Sequence, residues 1–116
     1  MIDGKGVLVA LFWYVIAHTT VWFQLNGQFL WPWFRKNEWV VASAGAFISF
    51  FYIWGTKAGV GAFNGLLWPN RFIGFSVGIL VYGLLVYQFM GEGINTKTAI
   101  SLLLCLALIL IQVLWK

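Results

Sequence analysis

The sequence is short of charge: only 9% of its 116 residues are Asp, Glu, Lys or Arg. Acidic side chains are fewer than basic ones, with carboxylates only at Asp3, Glu38 and Glu92. One histidine and one cysteine add little, so no ligand spacing for a metal site is visible. There is also no carboxylate pair and no nucleophile beside a base, so we expect no catalytic residues, no enzymatic activity and no cofactor.

Cysteine is nearly absent as well. Cys105 stands alone in an apolar run, which excludes a disulfide framework. The seven Lys and Arg residues give a net charge of +4, but they are scattered and form no patch that could follow a phosphate backbone. Nucleic acid is therefore not an expected partner.

Apolar residues make up the rest of the chain. They account for 62% of it, and the mean hydropathy of +0.90 is typical of integral membrane proteins. A spanning helix needs about 20 apolar residues, and four such segments are present. We predict an all-α, integral membrane four-transmembrane-helix bundle in the cell membrane, one domain over residues 1–116. Its helices are predicted at about 7–29, 39–54, 72–90 and 99–115.

The connections between these helices have distinct compositions. Residues 31–38 combine tryptophans with charges around Pro32, which indicates a membrane-surface loop. Residues 55–71 are rich in glycine and predict a loop with a short interfacial helix near 63–68. Because helices this short enclose no wide cavity alone, we expect the chain to form a homo-oligomer, most simply a dimer, surrounded by membrane lipid.

A polar stripe runs along the first predicted helix. Thr20, Gln24 and Gln28 repeat every fourth residue, so they share one face. Amides in hydrocarbon need hydrogen-bond partners, so this face must meet protein or water. Two interpretations remain open, namely substrate binding and hydrogen bonding across the bundle. The candidate partners for the second are Ser49, Tyr87 and Gln112.

His18 is the one titratable side chain expected well inside the bilayer. Histidine has an ordinary pKa of about 6.5, so His18 could carry a proton or bond a solute, with Tyr14 one turn earlier. It could equally be a neutral histidine paired with a neighbouring helix. Trp22 could hold an organic cation by its ring face or simply pack. The predicted substrate-binding residues are Tyr14, His18, Thr20, Trp22, Gln24 and Gln28.

Small residues mark two candidate helix-packing faces. Gly45 and Ser49 lie one turn apart in the second predicted helix, and Gly74 and Gly78 form a GxxxG pair in the third. Small residues at this spacing let helices approach closely. We therefore predict helix contacts at these four positions.

Three segments resemble four-helix members of the drug/metabolite transporter superfamily, the small multidrug resistance-like proteins. They are TTVWFQLNG (19–27), AFNGLLWPNRFIGFSVG (62–78) and FMGEGINTKTAISLLLCLALILIQVLWK (89–116), and Gly91 and Glu92 match a Gly-Glu in the last loop of those proteins. The resemblance implies an antiparallel dimer with a central cavity made mainly by the first three helices.

The first helix departs from that family in one respect. The proton-coupled cation exporters of the group use a glutamate there, whereas FWYVIAHTT (12–20) has no acid. An intramembrane carboxylate both attracts the cation and carries the proton, so this sequence argues against cation/proton antiport.

Charge gives no clear orientation. Four basic residues are predicted on the side of the termini and three on the other, so fixed and dual insertion both stay open. The four are Lys5, Lys57, Arg71 and Lys116.

The function predicted is a small transporter-like homodimer that moves or binds a small organic solute. The alternative is a structural accessory subunit of a larger membrane complex.

Overall fold

The computed structural model describes residues 2–115, and these form an all-α protein with no strand. Lys116, counted above in the charge balance, lies outside the described residues. The helices are α1 (Gly4–Asn26, continued by a 3-10 turn, Gly27–Phe29), α2 (Pro32–Lys36), α3 (Glu38–Ser43), α4 (Gly45–Ala62), α5 (Leu67–Leu85, continued by a π-helical turn, Val86–Met90) and α6 (Thr96–Leu114).

Four helical stretches are long and apolar enough to cross a membrane. They cover Gly4–Phe29, Glu38–Ala62, Leu67–Met90 and Thr96–Leu114. This confirms the predicted all-α, four-helix membrane architecture.

The predicted glycine-rich loop is much shorter than expected. The second spanning stretch continues through Ala62 and the third begins at Leu67, which leaves only residues 63–66 as a loop. Pro69 lies in the first turn of α5, where its missing N–H would have no intrahelical partner in any case. The predicted bounds 39–54 and 72–90 are therefore wrong at this end of both helices.

The predicted surface loop after α1 also contains helix. Residues 32–36 and 38–43 form α2 and α3, with Pro32 at the start of α2. Proline suits that position because its fixed φ matches the helical value and its missing N–H costs no hydrogen bond there.

α1 is the central helix. It packs against both α4 and α5, while α6 packs mainly against α5, and α4 and α5 contact each other much less than either contacts α1. The helices thus form a curved layer, in the order α4, α1, α5, α6, in which α4 and α5 also contact each other on one side of α1, with principal extents of 49 × 36 × 18 Å. The backbone N–H of Asp3 donates to Ala62 O at 2.9 Å, which joins the start of α1 to the end of α4.

The buried apolar cluster lies where α1, the end of α4 and α5 meet. It consists of Val7, Ala10, Tyr14, Ala62, Phe63, Ile73 and Val77. A gap remains between α4 and α5, and α1 closes it on one side.

Gly91 ends the π-helical turn in a left-handed conformation, with φ at 71°. A side chain at this φ costs about 1–2 kcal/mol, so we expect Gly91→Ala to lower the free energy of unfolding by about that amount. Gly93→Ala is the matched control, because a Cβ there meets nothing within 4 Å and φ is not left-handed. Reversible denaturation in detergent micelles measures the free energy of unfolding of both variants. Equal losses at Gly91 and Gly93 would mean that the left-handed φ of Gly91 is not the cause.

Candidate solute-binding cavity

A cavity of about 520 Å³ lies in the gap between α4 and α5, above α1. Its volume falls within the usual range for small-molecule sites. Two predicted site residues from α1, Tyr14 and His18, contribute to its wall. The other polar or ionisable side chains that line it are Tyr52 and Thr56 from α4 and Asn70, Arg71 and Tyr82 from α5.

Tyr14 connects all three helices at the base of the cavity. Its side chain is only 4% exposed, and its hydroxyl donates to Asn70 Oδ1 at 2.6 Å. The same hydroxyl lies 3.3 Å from Thr56 Oγ1 on α4. A buried hydroxyl satisfied in this way holds the Asn70 amide in one position.

His18 makes a second bridge one turn further along α1. Its Nε2 lies 2.9 Å from Gly74 O, and a carbonyl oxygen can only accept, so Nε2 carries the proton. In that neutral tautomer Nδ1 is an acceptor, and the Tyr52 hydroxyl donates to it at 3.2 Å. His18 therefore has partners on α5 and α4, as the interpretation of a histidine paired with neighbouring helices expects, while its ring also lines the cavity.

Glycines make room for these polar side chains. A Cβ at Gly78 would lie 2.6 Å from His18 Cε1, and one at Gly55 would lie 2.9 Å from Tyr14 Cε1. A Cβ at Gly59 would overlap Asn70 Oδ1. Sequence reasoning predicted a packing role for Gly78 but placed the two glycines of α4 in a loop.

The remaining predicted packing residues differ in their surroundings. A Cβ at Gly74 would lie 3.5 Å from Tyr14 Cζ, and one at Gly45 would lie 3.2 Å from Gln24 Nε2, so both glycines face α1. Ser49 is exposed in the single chain, and its hydroxyl donates to Gly45 O within the same helix at 2.8 Å. The structure therefore gives Ser49 no interhelical hydrogen bond.

Two members of the predicted polar stripe are satisfied locally. The Thr20 hydroxyl lies 2.9 Å from both Ile16 O and Ala17 O, and Gln28 Nε2 donates to Leu25 O at 2.8 Å. These bonds stay within the first spanning stretch. Neither side chain reaches the cavity above α1.

Gln24, the third member of the stripe, bonds to the short helix α3. Its Nε2 donates to Val41 O at 3.1 Å. The amide therefore bonds to a neighbouring helix, as the alternative of hydrogen bonding across the bundle expected. Its partner, however, is a backbone carbonyl and not a side chain. None of the three predicted partner side chains is used.

Trp22 is a packing residue. Its side chain is 2% exposed and lies against Phe23 and Phe89, with ring centroids 5.1 and 5.9 Å away. Its Nε1 is buried and has no hydrogen-bond partner among residues 2–115. The ring does not line the cavity, so the structure favours the packing interpretation.

Sequence reasoning missed most of the cavity wall contributed by α4 and α5. Thr56, Asn70 and Arg71 fell in the predicted loop, so they were not considered as membrane residues. Two features of the sequence could have indicated them. Tyr52 and Thr56 are four residues apart, which is the spacing of one helix face. Pro69 is a residue typical of the first turn of a helix, which would place Asn70 and Arg71 in that helix.

Arg71 sets the electrostatic character of the cavity. Of the described side chains that line it, Arg71 alone is permanently charged, and none is Asp or Glu. Arg71 is exposed and lies in the second turn of α5, near the loop at 63–66. No group of three or more potential metal-ligating residues is present within residues 2–115.

Four helices long and apolar enough to cross a membrane indicate a multi-pass α-helical membrane protein. No family model, curated protein or solved structure matches it. Its resemblance to four-helix transporters therefore stays a prediction.

Proposed function

We propose that the chain is a small transporter-like protein of the cell membrane that binds a small organic solute and moves it, acting as a homodimer. The observation that carries this proposal is the cavity between α4 and α5, which combines aromatic rings with hydrogen-bonding groups at about 520 Å³. The resemblance to small multidrug resistance-like members of the drug/metabolite transporter superfamily agrees with it.

The one-layer arrangement supports a dimer. With a thickness of 18 Å, a single chain has no second layer of helices to cover the gap between α4 and α5. A solute in hydrocarbon must be shielded from lipid, because unpaired polar groups are costly there. A second copy placed across the gap would enclose the cavity.

Filling the cavity provides a direct test. Ile79 lines it and is 37% exposed, so Ile79→Trp should occupy the space of a solute with little cost to folding. In lipid nanodiscs we expect some members of a panel of small solutes to raise the melting temperature of the wild type but not of Ile79→Trp.

Leu103→Trp is the matched control, since Leu103 is 64% exposed on α6, outside the cavity. This variant should keep the solute response. A wild-type protein that stays monomeric in mild detergent and in lipid, with no solute shifting its melting temperature, would contradict the proposal.

The second candidate is a structural accessory subunit of a larger membrane complex. Its support is α6, which packs mainly against α5 and leaves Leu103, Leu104 and Leu110 exposed. This candidate predicts a stoichiometric partner protein after gentle purification from native membranes. A dimer of the chain alone, responsive to solutes, favours the transporter.

A further inference from the structure

We propose that the cavity between α4 and α5 selects small organic anions, with the anionic group at Arg71 and an apolar body along α5. The proposal rests on the solute-binding function above and specifies its substrate class.

The charge of the cavity wall is the first argument. Arg71 is the single permanently charged side chain among the described lining residues, and no carboxylate faces it there. Arg71 is exposed near the start of α5, and an arginine without a carboxylate beside it attracts an anion and repels a cation. A guanidinium also matches the planar, two-oxygen geometry of a carboxylate.

The three acidic residues of the chain lie outside the cavity wall. Asp3 lies at the start of α1, where its side chain accepts from Lys5 N at 3.1 Å. Glu38 is at the start of α3 and Glu92 follows the π-helical turn. None of them lines the cavity.

Asn70 supplies the second argument. It is 6% exposed, and its side chain is held through Oδ1 by the Tyr14 hydroxyl at 2.6 Å. With the oxygen so engaged, the amide N–H groups remain as donors on a residue that lines the cavity. Donors fixed beside a positive charge suit an anion better than a cation.

The shape of the wall is the third argument. Arg71, Phe75, Ile79 and Tyr82 follow one another at helical spacing, so they form one stripe along α5 that lines the cavity. At 1.5 Å per residue the stripe is about 16 Å long, with the charge at one end. This arrangement fits a solute with one anionic end and an aromatic or aliphatic body.

A series of solutes of similar size that differ in charge tests the proposal. The protein is reconstituted in nanodiscs of phosphatidylcholine, and binding is measured for benzoate, benzyl alcohol and benzylamine and for the corresponding naphthalene compounds. We expect the two carboxylates to bind more tightly than the alcohols, and the amines to bind most weakly.

Arg71→Gln should weaken carboxylate binding by about 10- to 100-fold, the usual effect of losing a hydrogen bond to a charged group. Lys57→Gln is the matched control, because Lys57 is a basic residue of α4 that does not line this cavity. It should leave the affinity unchanged. Arg71→Lys keeps the charge and should retain part of the affinity, which separates loss of charge from loss of folding.

The outcomes separate the two proposals. Preferential binding of the amines, or unchanged carboxylate affinity in Arg71→Gln, would overturn the anion proposal and leave solute binding intact. No response to any of the six compounds would overturn the anion proposal, and the solute-binding proposal fails with it if no other solute shifts the melting temperature of the wild type. If phosphatidylglycerol in the nanodisc abolishes carboxylate binding through Arg71, the anion held there is a lipid headgroup, and the proposal of a free solute fails.

Discussion

Gly59→Ala should lower the free energy of unfolding by about 1–3 kcal/mol, the usual cost of forcing one extra methyl group into a packed site. The new Cβ would overlap Asn70 Oδ1. Asn70 has little freedom to move away, because it is 6% exposed and hydrogen-bonded to Tyr14. The variant should therefore disturb both the packing of α4 and the base of the cavity.

Gly61→Ala is the control on the same helix. A Cβ at Gly61 meets nothing within 4 Å, so alanine should be neutral or stabilise α4 by about 0.5–1 kcal/mol through its higher helix propensity. Reversible unfolding in mixed micelles measures the free energy of unfolding of the Gly59→Ala and Gly61→Ala variants. If Gly59→Ala is as stable as Gly61→Ala, the close contact between α4 and Asn70 does not exist in solution.

Tyr14→Phe should destabilise the protein by about 1–2 kcal/mol, because it leaves the buried Asn70 Oδ1 without its donor. Tyr82→Phe is the control: Tyr82 also lines the cavity, but it is 51% exposed and its hydroxyl has no partner among the hydrogen bonds of residues 2–115. The control should change the free energy of unfolding by less than about 0.5 kcal/mol, as most changes at exposed positions do.

A double-mutant cycle isolates the bond between the two side chains. Tyr14→Phe, Asn70→Ala and the double variant should be non-additive, with a coupling energy of about 0.5–2 kcal/mol. Additive effects of the two single substitutions would mean that the hydroxyl and the amide do not interact. The same cycle measured on carboxylate affinity would show whether Tyr14 positions Asn70 for binding.

The length of the apolar segments predicted the spanning helices well, because the main requirement for a spanning helix is a run of about 20 apolar residues. It failed at residues 55–71, where Gly and Pro were interpreted as helix breakers. Gly55 and Gly59 instead face Tyr14 and Asn70, where a larger residue would clash. Helix propensity is a weak prior, and close tertiary packing outweighed it here.

The candidate site was only half predictable for a related reason. His18 was predicted as the one titratable side chain inside the bilayer and Tyr14 by its position one helical turn earlier, and both line the cavity. Helical spacing grouped Thr20, Gln24 and Gln28 as one face but could not tell which neighbour that face meets. Their side chains bond to backbone carbonyls, and backbone acceptors carry no signature in the sequence.

A curved layer of helices with a smallest extent of 18 Å has a shallow interior. With a helix diameter of about 10–12 Å, most side chains reach one of the two broad surfaces. Much of the apolar surface of this fold must therefore be covered by its surroundings, either lipid or another chain, and its stability should vary with what covers it.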